Sequence, residues 1–539
     1  MKHWWQDEVF YQIYPKSYKD TNGDGIGDLP GIIEKLDYLK DLGIGAIWLS
    51  PIFTSPQADN GYDVADYEDV DPMFGTLEDL DELIAEADKR GIKIVLDLVL
   101  NHTSDEHYWF QEALKGKDNP YHDYYIWSDN GPDELPNDIE SAFGGPTWKY
   151  VPHLEQWYYH HYDVKQPDLD WTNPKMRQEI YAMINRWIDR GVGGFRLDVI
   201  DEIAKDIPNK EIVRYPEIYD LIEELSANCF QRDDVDVVTV GEVWSANPER
   251  AKRWSKEDGS LLSMVFQLEH STIDQYENKY DIKPLNFLKL KETFSKWQTE
   301  LQEQGWGSLV WENHDLPRVV SRWGNDQELR TESAKMFATL YLGLRGTPYI
   351  YQGQEIGMTN HHWRDISKYD DVEAINLFNE RTQNGYTEAE VYDSLEAKGR
   401  DNARTPMQWD DSNNAGFTTG TPWIDVTDNY KEVNVASELK DPNSIFNHYK
   451  KLIQLRKDND VFLNGYYELL LADDEEVFAY KRSTDEQELL VICNFYGNTI
   501  ERELKDLIGD SELVLANYYI ENINTLKPYE ARMLSLIHI

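Results

Sequence analysis

Three acidic residues stand at positions from which they could perform acid–base chemistry. Asp198 lies in GFRLDVI, Glu242 in VTVGEVW and Asp315 in LVWENHD. Each follows a short apolar run typical of a buried β-strand, and the C-terminal ends of such strands are where a parallel α/β barrel places catalytic groups. A pair of carboxylates around a sugar C–O bond performs glycoside hydrolysis, and a third acid nearby pushes their pKa values apart. These residues indicate a retaining glycosidase.

Eight apolar runs are candidates for the strands that position the acids. Most are near-continuous and rich in β-branched or aromatic residues, as strands buried on both faces should be. They cover residues 9–14, 46–50, 92–99, 194–199, 237–243, 263–269, 308–313 and 347–353. Helical patterns lie between several of them: Thr76 predicts the cap of a helix that ends at Gly91, and Asn173-Pro174 predicts the start of another. The alternation predicts an α/β fold, a (β/α)8 TIM barrel.

Two interruptions of this rhythm predict additional domains. Nearly a hundred residues separate the third and fourth runs, a long connection that is rich in Tyr, Trp, Asp, Pro and Gly. We interpret residues 102–172 as a subdomain inserted after strand 3. Beyond about residue 462 the pattern changes to short alternating strands, which predicts a small all-β domain at 463–539. The barrel then comprises 1–101 and 173–462.

Composition excludes several classes of partner. The 539 residues include 100 Asp and Glu against 53 Lys and Arg, a net charge of −47. Such a surface repels phosphate backbones and anionic lipids, so neither nucleic acid nor a membrane is expected as a partner.

Cys229 and Cys493 are too few for a disulfide framework or a metal site. The N-terminal residues lack the apolar stretch of a secretory signal. We therefore expect a cytoplasmic protein, acting as a monomer on a small oligosaccharide.

A short acidic loop has the oxygen spacing of a cation site. Oxygen ligands alternate along it, and glycines allow a tight turn, which suits a hard cation such as Ca²⁺. The ligands would be Asp20, Asn22, Asp24, the carbonyl of Ile26 and Asp28. The loop departs from an EF-hand because position twelve is Gly31 rather than Glu. Its remoteness in sequence from the three acids indicates a structural role.

Taken together, the motifs resemble those of a known family. YQIYPKSYKDTNGDGIGDL, NGYDV, DLVLNHTSDEH, QPDLDW, GFRLDVI, TVGEVW, ENHDLPRV, GTPYIYQGQEIGM and GRDNARTPMQWD occur in this order along essentially the whole chain. The sequence resembles the α-amylase family of glycoside hydrolases, in its oligo-1,6-glucosidase and dextran-glucosidase branch. The acidic loop is also similar to the calcium loop of that branch.

The resemblance implies a role for each acid. Asp198 matches the nucleophile, Glu242 the general acid/base, and Asp315 the third acid, which binds sugar hydroxyls and helps to distort the ring. Arg196 lies two residues before the nucleophile on the same face of a strand, and we expect it to hold Asp198 ionised. His102 and His314 match the two histidines that contact the sugar.

The resemblance also implies the shape and selectivity of the pocket. Asp63 and Arg404 match a pair that closes its inner end, which permits release of single glucose units from the non-reducing end. Phe143 and Gln166 are further candidates for that pocket. Val199 matches the branch that prefers α-1,6 bonds, because a β-branched residue would narrow the adjacent subsite. Trp244 is expected to stack on the leaving sugar, and Glu373 to hydrogen-bond to it.

Other activities share the same acids. A trehalose-6-phosphate hydrolase would need a basic cluster near the outer subsite, for which Arg250, Lys252 and Arg253 are the candidates. An α-1,4-preferring glucosidase and an isomerising transglycosylase acting on sucrose remain further alternatives. A non-catalytic transporter heavy chain is disfavoured, because all three acids are present.

Overall fold

The centre of the molecule is a closed barrel of eight parallel strands. The computed structural model describes residues 3–537, with side chains as far as residue 535. Each strand pairs with its neighbours in chain order, and the last closes on the first. The strands are β1 Phe10–Ile13, β2 Ala46–Leu49, β3 Lys93–Val99, β4 Gly194–Asp198, β5 Val238–Gly241, β6 Met264–Phe266, β7 Gly307–Val310 and β8 Thr347–Tyr351. The predicted (β/α)8 barrel is confirmed.

Large side chains fill the interior of the barrel. Phe10 and Tyr349, from β1 and β8, have ring centroids 5.0 Å apart, and Trp48 and Phe266 pack against them. A parallel barrel of this size is a packed core rather than a pore, so a binding site can form only at its ends. The aromatic content of the sequence is therefore used partly for the core.

Helices cover the outside of the barrel and continue after β8. Their bounds are α1 Leu29–Glu34, α2 Leu36–Leu42, α3 Leu77–Lys89, α4 Tyr108–Ala113, α5 Pro174–Arg190, α6 Glu217–Cys229, α7 Pro248–Trp254, α8 Phe287–Glu300, α9 Val319–Arg322, α10 Arg330–Leu342, α11 Val372–Gln383, α12 Glu388–Lys398, α13 Val435–Lys440, α14 Ile445–Asp458, α15 Val461–Asn464 and α16 Lys505–Ile508. None of the helices within residues 3–537 combines the length and the apolar character needed to cross a bilayer.

The predicted helix boundaries agree with the observed caps. Thr76 accepts a hydrogen bond from the amide of Asp79, whose side chain bonds back in a capping box at the start of α3. Asn173 accepts hydrogen bonds from two amides in the first turn of α5, and Pro174 is the first helical residue. Gly191 ends α5 with φ of 104°, a conformation that a glycine adopts without strain. These local signals were readable from the sequence because they depend only on neighbouring residues.

The long connection after β3 contains a small antiparallel sheet of its own. Its strands are Trp127–Ser128, Gln156–Tyr159 and Trp148–Val151, with Gln156–Tyr159 in the middle. An isolated bridge joins His102 to Asp168, so the connection returns to the point at which it leaves the barrel. It thereby stands beside the C-terminal end of β3. The exact domain boundaries remain predictions.

The C-terminal region forms a five-stranded antiparallel sheet. Its strands are β9 Tyr466–Leu470, β10 Val477–Ser483, β11 Glu488–Asn494, β12 Glu512–Ala516 and β13 Ala531–Ile537, in the order β9-β10-β11-β13-β12. Buried cations join it to the barrel. Lys291 of α8 donates to the carbonyls of Leu471, Asp474 and Val477, and Arg482 of β10 donates to that of Gly343. The predicted all-β C-terminal region is present.

Candidate active site

A cavity of about 340 Å³ opens at the C-terminal ends of the barrel strands. Its volume lies within the range typical of small-molecule sites. Most of the predicted site residues line it: His102, Phe143, Asp198, Val199, Glu242, Trp244, His314, Asp315 and Glu373. Tyr62, Tyr162, Asp59 and Arg400 also line it and were not predicted. The structure therefore brings the three acids together from β4, β5 and the loop after β7.

One guanidinium holds the proposed nucleophile and acid/base together. Arg196 donates from Nη1 to Oδ1 of Asp198 (2.7 Å) and from Nη2 to Oε2 of Glu242 (2.6 Å). Its side chain is buried on β4, one strand away from Glu242. Since both carboxylates bind adjacent nitrogens of the same planar fork, they are fixed close to one another. Two carboxyls held by one guanidinium favour a retaining mechanism, because an inverting enzyme needs room for a water between its carboxyls.

Both carboxyls of this pair have raised pKa values. Burial raises the pKa of Asp198 to about 7, with Arg196 opposing the shift and Asp97 adding to it. Burial likewise raises the pKa of Glu242 to about 7, again against the effect of Arg196. Arg196 donates to Asp198 and lowers its pKa in the expected direction, but desolvation by burial is the larger effect. Near neutral pH the pair can hold one proton, which is what a nucleophile and a general acid require together.

A further buried acid, Asp97, which is not one of the three predicted acids, supports Arg196 from inside the barrel. Arg196 donates to Asp97 at 2.9 Å, and Tyr62 and Trp48 donate to the same carboxylate at 2.8 and 3.1 Å. Asp97 is buried on β3, and burial raises its pKa to about 6. The sequence signal for it was its place at the start of DLVLNH, five residues before His102 in the same motif. Asp97 and Tyr62 are thus functional neighbours that the prediction missed.

The third acid lies between a histidine and two arginines. Nε2 of His314 is 3.2 Å from Asp315, and the His314 ring stacks on Tyr62 at 5.0 Å. Burial lowers the pKa of His314 to about 3, so at neutral pH this imidazole is uncharged. Burial alone would raise the pKa of Asp315, yet its neighbours, among them the Arg400 and Arg404 guanidiniums, hold it well below its usual range. Asp315 is therefore the permanent anion of the three.

The predicted pair of Asp63 and Arg404 is wrong in its partners. Asp63 accepts hydrogen bonds from the amides of Ala58 and Asp59 and does not line the cavity. Arg404 donates to the carbonyl of His314 and to Asp315 at 2.9 Å. Asp63 therefore orders its own loop, whereas Arg404 supports Asp315 without lining the cavity itself.

The ion pair that lines the cavity is formed by residues four positions earlier, Asp59 just before NGYDV and Arg400 within GRDNARTPMQWD. Nη2 of Arg400 lies 3.0 Å from Oδ1 of Asp59, and both side chains are buried. Burial raises the pKa of Asp59 to about 6, against the effect of Arg400. Phe143 flanks the pair, with its ring centre 4.9 Å from the Arg400 guanidinium. The prediction therefore identified the motif of Arg400 and the neighbourhood of Asp59, but neither of the two residues.

The predicted polar residues of the inner pocket divide into lining and support. His102 lines the cavity, and its Nε2 lies 3.0 Å from the carbonyl of Tyr62. Burial lowers its pKa to about 4, so the ring is neutral at pH 7. Gln166 is fully buried and does not line the cavity; its amide donates to Asp59 (3.0 Å) and to the Tyr62 carbonyl. Gln166 therefore supports the lining residues rather than forming part of the wall.

Val199 and Trp244 both contact the proposed acid/base. The Val199 amide donates to Oε2 of Glu242 (3.1 Å), and Nε1 of Trp244 donates to Oε1 (3.0 Å). Val199 adopts a left-handed backbone with φ of 34°, a rare and strained conformation for a β-branched residue. Trp244 is 44% exposed, which leaves much of its surface open to a ligand. The two residues thus shape the space next to the proposed acid/base.

One part of the cavity lining, which we call the outer wall, carries Lys279, Arg322 and Lys398. Each of these cations is already paired with a carboxylate. Lys279 lies 2.9 Å from Glu373. Arg322 and Lys398 share the buried Asp274, at 2.6 and 2.5 Å. Among the described lining residues, every lysine and arginine has a carboxylate partner.

The basic residues that follow Glu242 in sequence point elsewhere. Arg250 stacks on Tyr215, Arg253 stacks on Tyr219, and Lys252 pairs with Glu300. None of these three cations lines the cavity. The basic cluster considered for a phosphate group is therefore not part of this site.

The acidic loop of residues 20–28 is ordered by its own backbone. Asp20 accepts hydrogen bonds from the amides of Asn22, Gly23 and Gly25, and Asp28 accepts from that of Thr21. Its donors are all oxygens, which suits a hard cation, but Asp20 already accepts four hydrogen bonds, the fourth from Oγ1 of Thr418, so an ion would have to displace some of them. Within residues 3–537, however, no three acidic, histidine or cysteine side chains lie close enough together to hold a metal. An ion here would depend on amide and carbonyl oxygens as well.

Comparison with known proteins places this geometry in a family. The family model for the alpha amylase catalytic domain matches residues 12–465. The chain is 48% identical to an oligo-1,6-glucosidase of Halalkalibacterium halodurans, over 98% of both chains. It is 50% identical to a glucan 1,6-alpha-glucosidase of Streptococcus pneumoniae, over 99% of both. The crystal structure of a trehalose-6-phosphate hydrolase of Bacillus licheniformis superposes with a TM-score of 0.94 at 46% identity, covering all of both chains. The chain belongs to the alpha-amylase family of glycoside hydrolases.

Proposed function

We propose that this chain is a retaining, exo-acting α-glucosidase that hydrolyses α-1,6 bonds. It would release glucose from the non-reducing ends of isomalto-oligosaccharides, panose or dextran. The observation that carries the proposal is the Arg196 fork, which holds Asp198 and Glu242 side by side in the cavity. The relatives named for α-1,6-glucosidase activity support the choice of bond.

The mechanism follows from the positions of the two carboxyls. Asp198 attacks the anomeric carbon as a carboxylate, while Glu242 gives its proton to the oxygen of the departing sugar. This forms a covalent glycosyl–enzyme ester and a neutral leaving alcohol. Glu242, now ionised, takes a proton from water as that water attacks the ester, which releases glucose and restores both carboxyls. Asp315, held as an anion, binds sugar hydroxyls and helps to distort the ring.

The pair of Asp59 and Arg400 supports exo action. Both line the cavity beside Asp315, and Arg400 reaches Oδ1 of Asp315 at 3.4 Å. We infer that this pair closes the inner end and admits one glucose unit beyond the cleaved bond. A buried, hydrogen-bonded ion pair resists displacement by a longer chain, because separating its charges leaves each unpaired in a dry site.

The assignment to α-1,6 rather than α-1,4 bonds rests on Val199. Val199 lines the cavity next to Glu242, the residue that we propose protonates the leaving sugar. The two methyl groups on Cβ narrow this space. They restrict the approach of a leaving sugar whose bonding oxygen is attached directly to its own ring, as in an α-1,4 linkage. An α-1,6 linkage has one more rotatable bond and can pass the obstruction.

Trehalose-6-phosphate hydrolysis is the second candidate, because a structural relative carries that name. A phosphate needs unpaired cations or bidentate arginines at the outer subsite. Here the lysines and arginines of the outer wall are engaged with Asp274 and Glu373. Binding a phosphate would break these pairs, so the described lining residues favour a neutral sugar.

One comparison of substrates tests the proposal. We would measure kcat/KM on isomaltose, panose, dextran, maltose and trehalose 6-phosphate under the same conditions. The proposal predicts that the α-1,6-linked substrates lead. A preference for trehalose 6-phosphate would replace the main proposal by the second, and a preference for maltose would contradict the role of Val199. Following the anomeric configuration of the first product by NMR tests retention.

We also propose that the loop of residues 20–28 binds a structural Ca²⁺. Asp20, Asn22, Asp24, the Ile26 carbonyl and Asp28 would supply its oxygen ligands. Support comes from the all-oxygen donor set and from contacts with residues 418–421, where Thr418 donates to Asp20. A Cβ on Gly25 would lie 1.8 Å from the carbonyl oxygen of Thr421, so the loop packs tightly there. The ion would tie the two segments together and take no part in the reaction.

We further propose that the protein acts in the cytoplasm as a monomer. Cys229 and Cys493 are both buried free thiols, and burial raises the pKa of Cys229 to about 12 and that of Cys493 well above its usual range. Unpaired thiols are typical of a reducing compartment. The net charge of −47 opposes self-association. Light scattering in physiological salt tests the monomer, since it reports mass directly.

A further inference from the structure

Asp371 binds the guanidinium of Arg400 along one edge, through two of its nitrogens. Nη2 of Arg400 lies 2.5 Å from Oδ1 of Asp371, and Nε lies 3.0 Å from Oδ2. Asp371 itself is fully buried and does not line the cavity. Such a two-point contact fixes the plane of a guanidinium as well as its position. With the guanidinium held in this plane, its Nη2 also donates to Asp59 and its Nη1 to Asp315.

The same carboxylate holds a residue of the outer wall. Asp371 is the N-cap of α11, and its Oδ1 accepts a hydrogen bond from the amide of Glu373 (3.0 Å). Glu373 lines the cavity, where it pairs with Lys279 and lies 3.4 Å from Nε of Arg400. Asp371 is anchored in turn, because its own amide donates to Asp401 (3.1 Å). One buried side chain therefore fixes residues on both sides of the bond to be cleaved.

We propose that Asp371 is a positioning residue that couples the subsite for the departing glucose unit to the subsite for the leaving sugar. It acts on the first through Arg400 and on the second through the cap of α11, on which Glu373 stands. This rests on the proposed function for the identity of the two sugars. The coupling itself requires only that Arg400 and Glu373 contact a bound glucoside.

Two substitutions separate the two contacts. Asn caps a helix about as well as Asp, so Asp371→Asn keeps the hydrogen bond to the Glu373 amide but loses the charge that orients Arg400. Asp371→Ala loses both. The matched control is Asp365→Asn, which alters an exposed N-cap of a short 3₁₀ helix away from the cavity. It should leave kcat and KM unchanged.

The experiment measures kcat and KM on p-nitrophenyl α-glucoside and on isomaltose. We expect Asp371→Asn to lower kcat/KM on both by a similar factor, about 10- to 100-fold, because a displaced fork misplaces the bound glucose. Asp371→Ala should lose further activity on isomaltose alone, since only isomaltose has a leaving sugar for Glu373. Equal losses on the two substrates for Asp371→Ala would overturn the coupling.

A double-mutant cycle with Arg400→Lys separates positioning from stability. Lysine cannot make the two-point contact, so in that background Asp371→Asn should change kcat/KM by no more than about twofold. Fully additive losses, or losses that follow the melting temperature, would contradict action through Arg400. If Asp371→Asn does not fold, Asp371→Glu replaces it in the same cycle. If the wild-type chain does not hydrolyse isomaltose, the proposed preference for α-1,6 bonds is wrong. The double-mutant cycle on p-nitrophenyl α-glucoside still decides the role of Asp371 in that case.

Discussion

The backbone amide of Val199 donates a hydrogen bond to Oε2 of Glu242, at 3.1 Å. The left-handed conformation of Val199, with φ of 34°, is what turns this amide toward the carboxylate. Its side chain is thereby placed in the cavity rather than in the core. The residue that we propose as the linkage selector thus also contacts the proposed acid/base, and its backbone strain is of the kind found at functional sites.

Val199→Ala should relax the linkage preference. Removing two methyl groups widens the space beside Glu242, and the ratio of kcat/KM on maltose to that on isomaltose should rise about tenfold. The matched control is Val243→Ala, which is buried next to Glu242 in sequence but does not line the cavity. An unchanged ratio for Val199→Ala would remove Val199 as the selector.

Asp59→Asn and Asp63→Asn should have different consequences. Asp59 faces Arg400 in the cavity, so its substitution should lower kcat/KM about 10- to 100-fold, the range for a hydrogen bond to a charged group. Asp63 binds two backbone amides, so its substitution should lower the melting temperature, with a smaller effect on kcat/KM. Steady-state kinetics and calorimetry on both variants check this. A larger loss of kcat/KM for Asp63→Asn than for Asp59→Asn would contradict this and support the original prediction that Asp63 closes the pocket.

Glu242→Gln should stabilise the fold more at neutral than at acid pH. Burial raises the pKa of Glu242 from 4.5 to about 7, so the folded chain binds a proton that the unfolded chain has lost. The stability contributed by this group is full below pH 4.5 and is lost as pH rises toward 7. The melting temperature of the variant relative to wild type should therefore increase from pH 4.5 to pH 7.5. The exposed Glu223→Gln is the control, and a constant difference for Glu242→Gln would contradict the raised pKa.

Removal of Ca²⁺ should lower the melting temperature. A chelator should destabilise the wild-type chain, because an ion that binds only the folded state adds stability by mass action. Asp24→Ala removes one exposed ligand of the loop, and the variant should melt at the same temperature with and without chelator. Activity at a temperature well below melting should not change. Identical melting of the wild-type chain in both conditions would remove the calcium proposal.

The parts of the fold that the sequence predicted depend on local patterns. The strand runs, the caps at Thr76 and Asn173, and the order of the barrel units follow from side-chain periodicity and neighbouring hydrogen bonds. The three acids were also recognisable, because each directly follows a buried run or lies in the loop after it. The roles of these residues remain proposals that the predictions above test.

The contacts that join separate loops could not be read in this way. The sequence by itself determined the barrel, the three acids and the two motifs of the inner pocket. Only the tertiary structure decided that Asp59 meets Arg400 while Asp63 and Arg404 turn to the backbone and to Asp315. It likewise decided that burial outweighs Arg196 in setting the pKa of Asp198. The ion pair joins residues 341 positions apart, and the pKa depends on the exclusion of solvent by the folded chain, so no local pattern records either.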